Sequence, residues 1–456
     1  MILESQDLTR GSLWKKILYF SIPLMLSNIL QVLFNMSDIA VVGQFAGADA
    51  LGAVGSTTTL VALFTGFLIG LGSGVNVIVA RFFGAGDGRD VEETVHTALI
   101  VSVITGVVIL ALGQLLTWPI LRLLQTKDEL IDGAALYLRI YFLGMPAMAV
   151  YNYGNAVFSA VGDTKKPLAF LSLSGVVNVA LNLFFVIVCR LSVAGVAIAS
   201  AVSQWLSALL ILAALVRAPD PYCLRRDRLC FQKSKARLVL KLGLPAGVQN
   251  AIFQIANLFI QFGVNSFSAT VVSGNSAAAN ADALVYDVMA AFYTACGSFI
   301  GQNLGAGHMD RVKKAYQVSL VYSFGAGAIL GLTLVVFGRQ FLSLFARDAA
   351  VIDAGMYRLT IMGCSYAVSA FMDCSIAASR GLGKTVAPMI IVISGSCVFR
   401  VIWIYTVFTY FGTITSLYLL YIFSWAITGA AEAAYFVRSY RMQMDGIRPA
   451  ADVETP

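Results

Sequence analysis

Twelve predominantly apolar runs follow one another along this 456-residue chain with almost no polar sequence between them, at 17–43, 51–80, 94–117, 134–157, 167–188, 193–216, 239–265, 278–301, 315–337, 355–378, 387–410 and 414–437. A helix of about 20 largely apolar residues crosses the roughly 30 Å hydrocarbon core of a bilayer. Lipid offers no partner to an unpaired backbone N–H or C=O, so spans must be helices or a closed barrel. The alternating pattern of a barrel strand is absent here, which predicts an all-α integral membrane protein. Composition agrees, with 59% hydrophobic and only 12% charged residues, against about a quarter charged in soluble domains. His96 and His308 are the only histidines, and the seven cysteines show no C-x-x-C spacing. No zinc site, disulfide framework or cofactor is indicated, and no enzyme is expected.

Basic residues orient the spans. With the N-terminus inside, the inner segments carry 23 of the 31 Lys and Arg and the outer connections 7, while Arg400 falls within a span. This predicts two cytoplasmic termini in a multi-pass protein of the cell membrane. The first run is too long for a cleaved signal and lacks a small-residue cleavage site. Arg225, Arg226, Arg228, Lys233, Lys235 and Arg237 cluster in one connection. Without interleaved aromatics the cluster reads as a contact for anionic membrane lipid, and no nucleic acid partner is expected.

Landmarks recur about 221 residues apart. Ile22-Pro23…Asn28…Asn35 returns as Leu244-Pro245…Asn250…Asn257, Gly84-Ala85-Gly86 as Gly305-Ala306-Gly307, and Gly162-Asp163-Thr164-Lys165-Lys166-Pro167 as Gly383-Lys384-Thr385-Val386-Ala387-Pro388. Each repeat holds six spans, an even number, so both halves enter the membrane from the same side. The expected architecture is two six-helix lobes related by a pseudo-twofold axis along the membrane normal. The boundaries read as an N-terminal lobe at 1–216, a basic cytoplasmic linker at 217–238, a C-terminal lobe at 239–445 and a tail at 446–456. Alternating access by rocking of two lobes is the mechanism such a duplication suggests.

Polar groups within spans are costly and tend to face the interior or a cavity. At 100° per residue, Asn28, Gln31, Asn35 and Asp38 lie within an arc of about 80° on the first span. Asn250, Gln254, Asn257 and Gln261 make a similar stripe on the seventh, without an acid. Asn178 and Asn182 stand one turn apart on the fifth span, and the fourth offers Asn152 and Asn155. Burial favours the neutral form of a carboxyl, so Asp38 with amide partners can exchange a proton or hold a hard cation. The other reading makes the amides interhelical glue and leaves Asp38 solvated near the headgroups. Asp287, Asp373 and Arg400 also lie within spans: a pair of Arg400 with either acid is structural, and unpaired acids suit a cationic substrate. Asp282 and Glu432 read as solvated residues near span ends. Pro23 and Pro245 each interrupt the first helix of a half, as a hinge or a static kink.

Gln31-Val32-Leu33-Phe34-Asn35-Met36-Ser37-Asp38 after Ile22-Pro23, Gly162-Asp163-Thr164-Lys165-Lys166-Pro167, and Asn178-x-x-x-Asn182, within twelve spans and two halves, resemble the MATE (multidrug and toxic compound extrusion) family over essentially the whole chain. The resemblance implies a cation-coupled antiporter, H⁺ or Na⁺ moving inward against an organic, often cationic and amphiphilic, small molecule moving outward, and a monomer is expected. It makes Asp38 the acid of a cation-coupling site with Asn178, Asn182 and Asn155, with Na⁺ as one ligand it can take. Asn182 stands where many relatives carry Asp, which lowers the site's charge, and Ser200 or Ser203 supplies a hydroxyl. Gln31, Asn35, Gln254, Asn257, Asp287 and Asp373 are the expected substrate-cavity residues, and Pro23 the hinge. The seventh span has Phe253 and Gln254 where another branch has an acid, so a second cation site there depends on Asp287 or Asp373. The alternative is a flippase for a lipid or lipid-linked precursor, which calls for intramembrane Arg and Lys, and only Arg400 is read inside a span.

Overall fold

The computed structural model describes residues 7–124 and 126–451, with no strand among the described residues. The helices are α1 (Leu13–Phe45), α2 (Ala48–Gly84), α3 (Gly88–Leu123), α4 (Asp128–Phe142), α5 (Met145–Ala160), α6 (Lys165–Leu183), α7 (Ser192–Val216), α8 (Lys233–Asn265), α9 (Ala269–Gly305), α10 (Met309–Leu342), α11 (Ala349–Gly381), α12 (Val386–Val392), α13 (Phe399–Trp403), α14 (Thr409–Phe411) and α15 (Ile414–Ala451). Among the described residues eleven helical stretches are singly long and apolar enough to span a bilayer, and α4 with α5, bent by 48°, makes a twelfth if the pair is one span.

Helices outrun the apolar runs because polar caps complete them. Asp87 accepts from the Asp90 N–H ahead of α3, and Asp348 accepts from the Ala350 N–H ahead of α11. The run read at 134–157 as one span breaks between α4 and α5. Pro146 removes a backbone donor at the start of α5, and the Gln204 side chain occupies the space where a Cβ on Gly144 would project. The run at 387–410 is interrupted twice, by π turns at Ile393–Val398 and Ile404–Phe408, and the run at 167–188 ends in another at Phe184–Val188.

Two compact units divide the chain, one of residues 1–25 with 252–456 and one of residues 26–251. The sequence reading put the boundaries at 216 and 239; packing puts them inside α1 and α8, soon after Pro23 and Pro245. The burial pattern explains the shift. Leu13, Ile17, Phe20 and Leu24 of α1 are buried with Phe292, Phe299 and Ile300 of α9. Farther along the same helix, Val41 and Val42 are buried with Val54, Tyr137 and Tyr141. Along α8, Val239 and Leu242 belong with Val75 and Val79, but Ile260 and Val264 with Leu417 and Tyr418. At the other end, α15 continues helical to Ala451 through part of the expected tail; residues 1–6 and 452–456 lie outside the described residues.

Within the unit of residues 26–251, the expected linker is a docked segment. Tyr222 is buried between the rings of Phe83 and Phe158. His96 holds the segment from α3: its Nδ1 meets the Glu92 carbonyl at 2.8 Å, and its Nε2 accepts the Arg225 N–H at 3.1 Å. Arg228 pairs with Glu92 at 3.1 Å, and Lys235 with Asp90 at 2.5 Å.

Backbone-to-backbone contact brings α2 and the first half of α8 together. A Cβ on Gly70 or Gly74 would run into the backbone of Gly247 or Gly243, two pairs of glycines four residues apart on facing helices. Without a hydrophobic drive between helices in lipid, such close approach supplies the association energy. Gly74→Val should therefore cost about 1–3 kcal/mol through overpacking. Gly55→Val, on the same helix with open space around it, should cost little. Thermal unfolding of the two variants in detergent micelles checks the difference, and equal losses would refute the packing argument.

Candidate functional site

Asp38 sits on the second half of α1, in the unit of residues 26–251. Gly175 on α6 lets this part of α1 approach, because any Cβ there would overlap the Phe34 ring. One turn beyond Phe34, the Asp38 carboxylate meets two elements. Asn182 of α6 donates from Nδ2 to Oδ1, and Ser200 Oγ of α7 donates to Oδ2 at 3.2 Å. The same Asn182 Nδ2 reaches Asn178 Oδ1 at 3.3 Å, the expected one-turn pair on α6. Asn182 is fully buried, and Asn178 and Ser200 nearly so. With its nitrogen committed, Asn182 Oδ1 is buried without a hydrogen-bond partner.

Carboxylate, amide and hydroxyl oxygens make a hard donor set, suited to a proton on Asp38 or to a small hard cation among the oxygens. A cation would favour turning the Asn182 amide to present its oxygen, whereas an ionised carboxylate without one favours the nitrogen. Ser203 donates to the Ser200 carbonyl at 2.9 Å and steadies the helix instead of meeting Asp38. Asn155, expected from the fourth span, is half-buried and makes no hydrogen bond to Asp38, while Gln31 and Asn35 are exposed. Tyr137 and Tyr141 escaped the sequence reading. They stack at 5.7 Å on α4, buried and within electrostatic reach of Asp38. Their four-residue spacing was the available signal, though it is also what any packed aromatic face shows.

In the unit of residues 1–25 and 252–456, the expected cavity residues separate. Asn257 Oδ1 accepts from Arg400 Nη1 at 3.0 Å. Arg400 is fully buried on α13, between two π turns, and lies over Phe253 at 4.6 Å and Tyr421 at 5.1 Å. Among the described residues Arg400 has no ion pair with Asp287 or Asp373, so the two pairings considered from sequence give way to an amide and two ring faces. Gln254 and Asp287 are half-buried, and Asp373 keeps one buried oxygen, Oδ2, without a hydrogen-bond partner.

Two sequence expectations need correction here. Asp282, read as solvated, is mostly buried: it pairs with Arg358 at 2.5 Å and accepts from the Tyr366 hydroxyl. Arg358 also donates to Asn275 at 2.6 Å, whose Oδ1 takes the Tyr418 hydroxyl at 3.2 Å. Glu432, likewise read as solvated, is fully buried. Arg358, inside the run at 355–378 although counted with the outer connections, thus joins Arg400 within the helices.

The MatE family model matches residues 23–184 and again 245–406. The chain belongs to the MATE family. It is similar to a probable multidrug resistance protein of Bacillus subtilis, YpnP, at 30% identity over 77% of this chain and 79% of that one. It is also similar to an FAD transporter of Shewanella oneidensis, at 25% identity over 80% and 81%. An outward-facing MATE family transporter of the MOP superfamily shares its fold, with TM-score 0.90 and 21% identity over 97% of this chain and 99% of that one. This MATE chain is therefore a multi-pass membrane transporter and not an enzyme. The two family matches start at 23 and 245, an offset of 222 that sets Asn35 against Asn257, and the Gly162/Gly383 landmarks set α6 against the helical stretch from Val386 that carries Arg400. The copy that lacks Asp38's carboxylate thus carries a fixed guanidinium on the equivalent helix.

Removing one member of a buried ion pair leaves the other uncompensated, at about 3–5 kcal/mol. Arg358→Met should lower thermal stability by that order, and adding Asp282→Asn should restore much of it. If the double variant is as unstable as the single one, the pair is not what Arg358 supports.

Proposed function

We propose that this MATE transporter exports organic, amphiphilic and mainly cationic compounds in exchange for H⁺ or Na⁺, with Asp38 as the coupling carboxylate. The observation that carries the reading is the Asp38 cage, a shielded acid held by Asn182 and Ser200 beside an amide oxygen that has no partner. The names of relatives as multidrug resistance proteins support the substrate class. A charge crossing 100 mV gains about 2.3 kcal/mol, enough to bias a two-state equilibrium more than tenfold. In this reading both termini are cytoplasmic, the transporter works as a monomer by alternating access, and Pro23, which withholds a hydrogen bond inside α1, is the hinge.

The steps follow from the residues. Cation entry neutralises Asp38 and frees Asn182 from donating to it, so the packing of α1 against α6 and α7 differs between loaded and empty states. Organic substrate then binds preferentially to one of those states, and its release follows when the next cation loads. Exchange requires only that the two ligands favour opposite states.

A second reading is favoured by Arg400. Its Nη2 is buried without a partner, and a guanidinium in such a place suits an anionic group, as an FAD transporter or a lipid flippase would require. Competition by anionic and cationic compounds against the same labelled substrate separates the two.

Dye efflux from proteoliposomes, driven by imposed pH or Na⁺ gradients separately, tests the main reading. Asp38→Asn should abolish gradient-driven efflux while leaving expression and thermal stability near wild type; persistent coupled efflux would sink the assignment. Asn182→Asp adds a second carboxylate to the cage and should shift the dependence toward Na⁺.

A further inference from the structure

The helices α11 and α15 pack along one another within the unit of residues 1–25 and 252–456. Their shared face carries an unusual series of polar atoms. Trp425, Glu432, Ser439 and Gln443 are spaced seven, seven and four residues apart on α15, which puts them on one stripe. That stripe faces inward: Glu432 is fully buried, and Trp425 and Ser439 are nearly so. Trp425 Nε1, both Glu432 carboxyl oxygens, Ser439 Oγ and Gln443 Oε1 are buried and have no hydrogen-bond partner. On α11, Ser379 Oγ shares that condition, seven residues on from Met372, whose backbone faces Gly429 of α15. Gln443 marks the end of the series, where its Nε2 donates to the Leu382 carbonyl just past α11 at 3.3 Å.

Leaving such a group dry is unfavourable, and for a carboxylate the more so. A row of them along a single interface is too expensive to retain without a partner. Glu432 and Ser439 lie roughly 10 Å apart along the helix, too far to bond one another. A few water molecules in file would bridge that distance and give each oxygen a donor.

We propose that the α11/α15 seam holds a file of ordered water running from the Gln443 end of the bundle inward to Glu432, which makes Glu432 a hydrated acid site separate from Asp38. Its ligand is water. Arg380, near enough to act on Glu432 through space, offsets its charge without bonding to it. The site needs nothing from the Asp38 reading, because hydration of the seam is a property of one unit and is read without transport.

Radiolytic hydroxyl-radical footprinting of the full chain in lipid nanodiscs, read by peptide mass spectrometry, detects bound water next to buried side chains. The seam residues, Phe436 and Met372 among them, should be oxidised well above equally buried Phe299 and Phe158. Ser439→Val, which fills and blocks the file, should abolish labelling on the Glu432 side while the Phe299 control is unchanged. Ser439→Ala, which keeps the space and removes only the hydroxyl, should retain most of it. Seam labelling no higher than that of Phe299 and Phe158 in the wild-type chain overturns the proposal. So does labelling that survives Ser439→Val in a variant with the wild-type unfolding temperature.

Discussion

Lipid supplies no hydrogen bonds, and most of this structure answers that constraint. The backbone satisfies itself by forming helices throughout, and polar side chains within spans turn back onto their own helix. Thr94, Thr105, Ser172, Thr333 and Thr360 each donate to the carbonyl four residues earlier. Charged groups have no such local remedy, since a carboxylate or guanidinium needs a partner of matching chemistry on another helix. The sites of interest are therefore the places where helices are held together by charge: Asp38 between α6 and α7, Arg358 with Asp282, and Arg400 over Asn257 and two rings.

The two units meet the constraint differently. Around Asp38 a single acid is bound by one amide and one hydroxyl. Arg358 is bound by a carboxylate, an amide oxygen and two aromatic faces, and Tyr366 shares its acid. That network resists change. The duplicated layout has thus diverged in electrostatics: one copy carries the acid Asp38, and the other a buried cation at Arg400. The π turns at Phe184–Val188 and Ile404–Phe408 fall at nearly equivalent places in the two copies and close the helices that bear Asn182 and Arg400. Such turns shift the register of the residues around them and are frequent near functional sites.

Close packing makes these contacts possible. Gly70 and Gly74 against Gly243 and Gly247, and Gly331 against Gly363, bring backbones together where any side chain would intervene. Gly175 does the same for a single ring, Phe34, and thereby sets how near α1 comes to α6. Without that approach the Asp38 carboxylate would stand off from Asn182, so a residue with no chemistry of its own governs the geometry of the site.

Much was legible in the residues alone. Run length and hydropathy determined the helical membrane fold and its span count, because both depend only on local composition measured against the thickness of a bilayer. The duplication and the Asp38 stripe with its Asn178–Asn182 pair followed from spacing, since helical periodicity places residues on faces without reference to neighbours. Tertiary structure alone decided which faces meet. It chose Ser200 over Ser203, left Asn155 unbonded to Asp38, gave Arg400 an amide in place of an acid, and buried Asp282, Arg358 and Glu432 that composition had put near the surface. It also drew the unit boundaries inside α1 and α8, soon after Pro23 and Pro245, and not at the basic connection. The physical reason is common to all of these: a helix fixes the direction of its own side chains, but the partner a polar group finds depends on how closely a second helix can approach, and that is set by small residues far away along the chain.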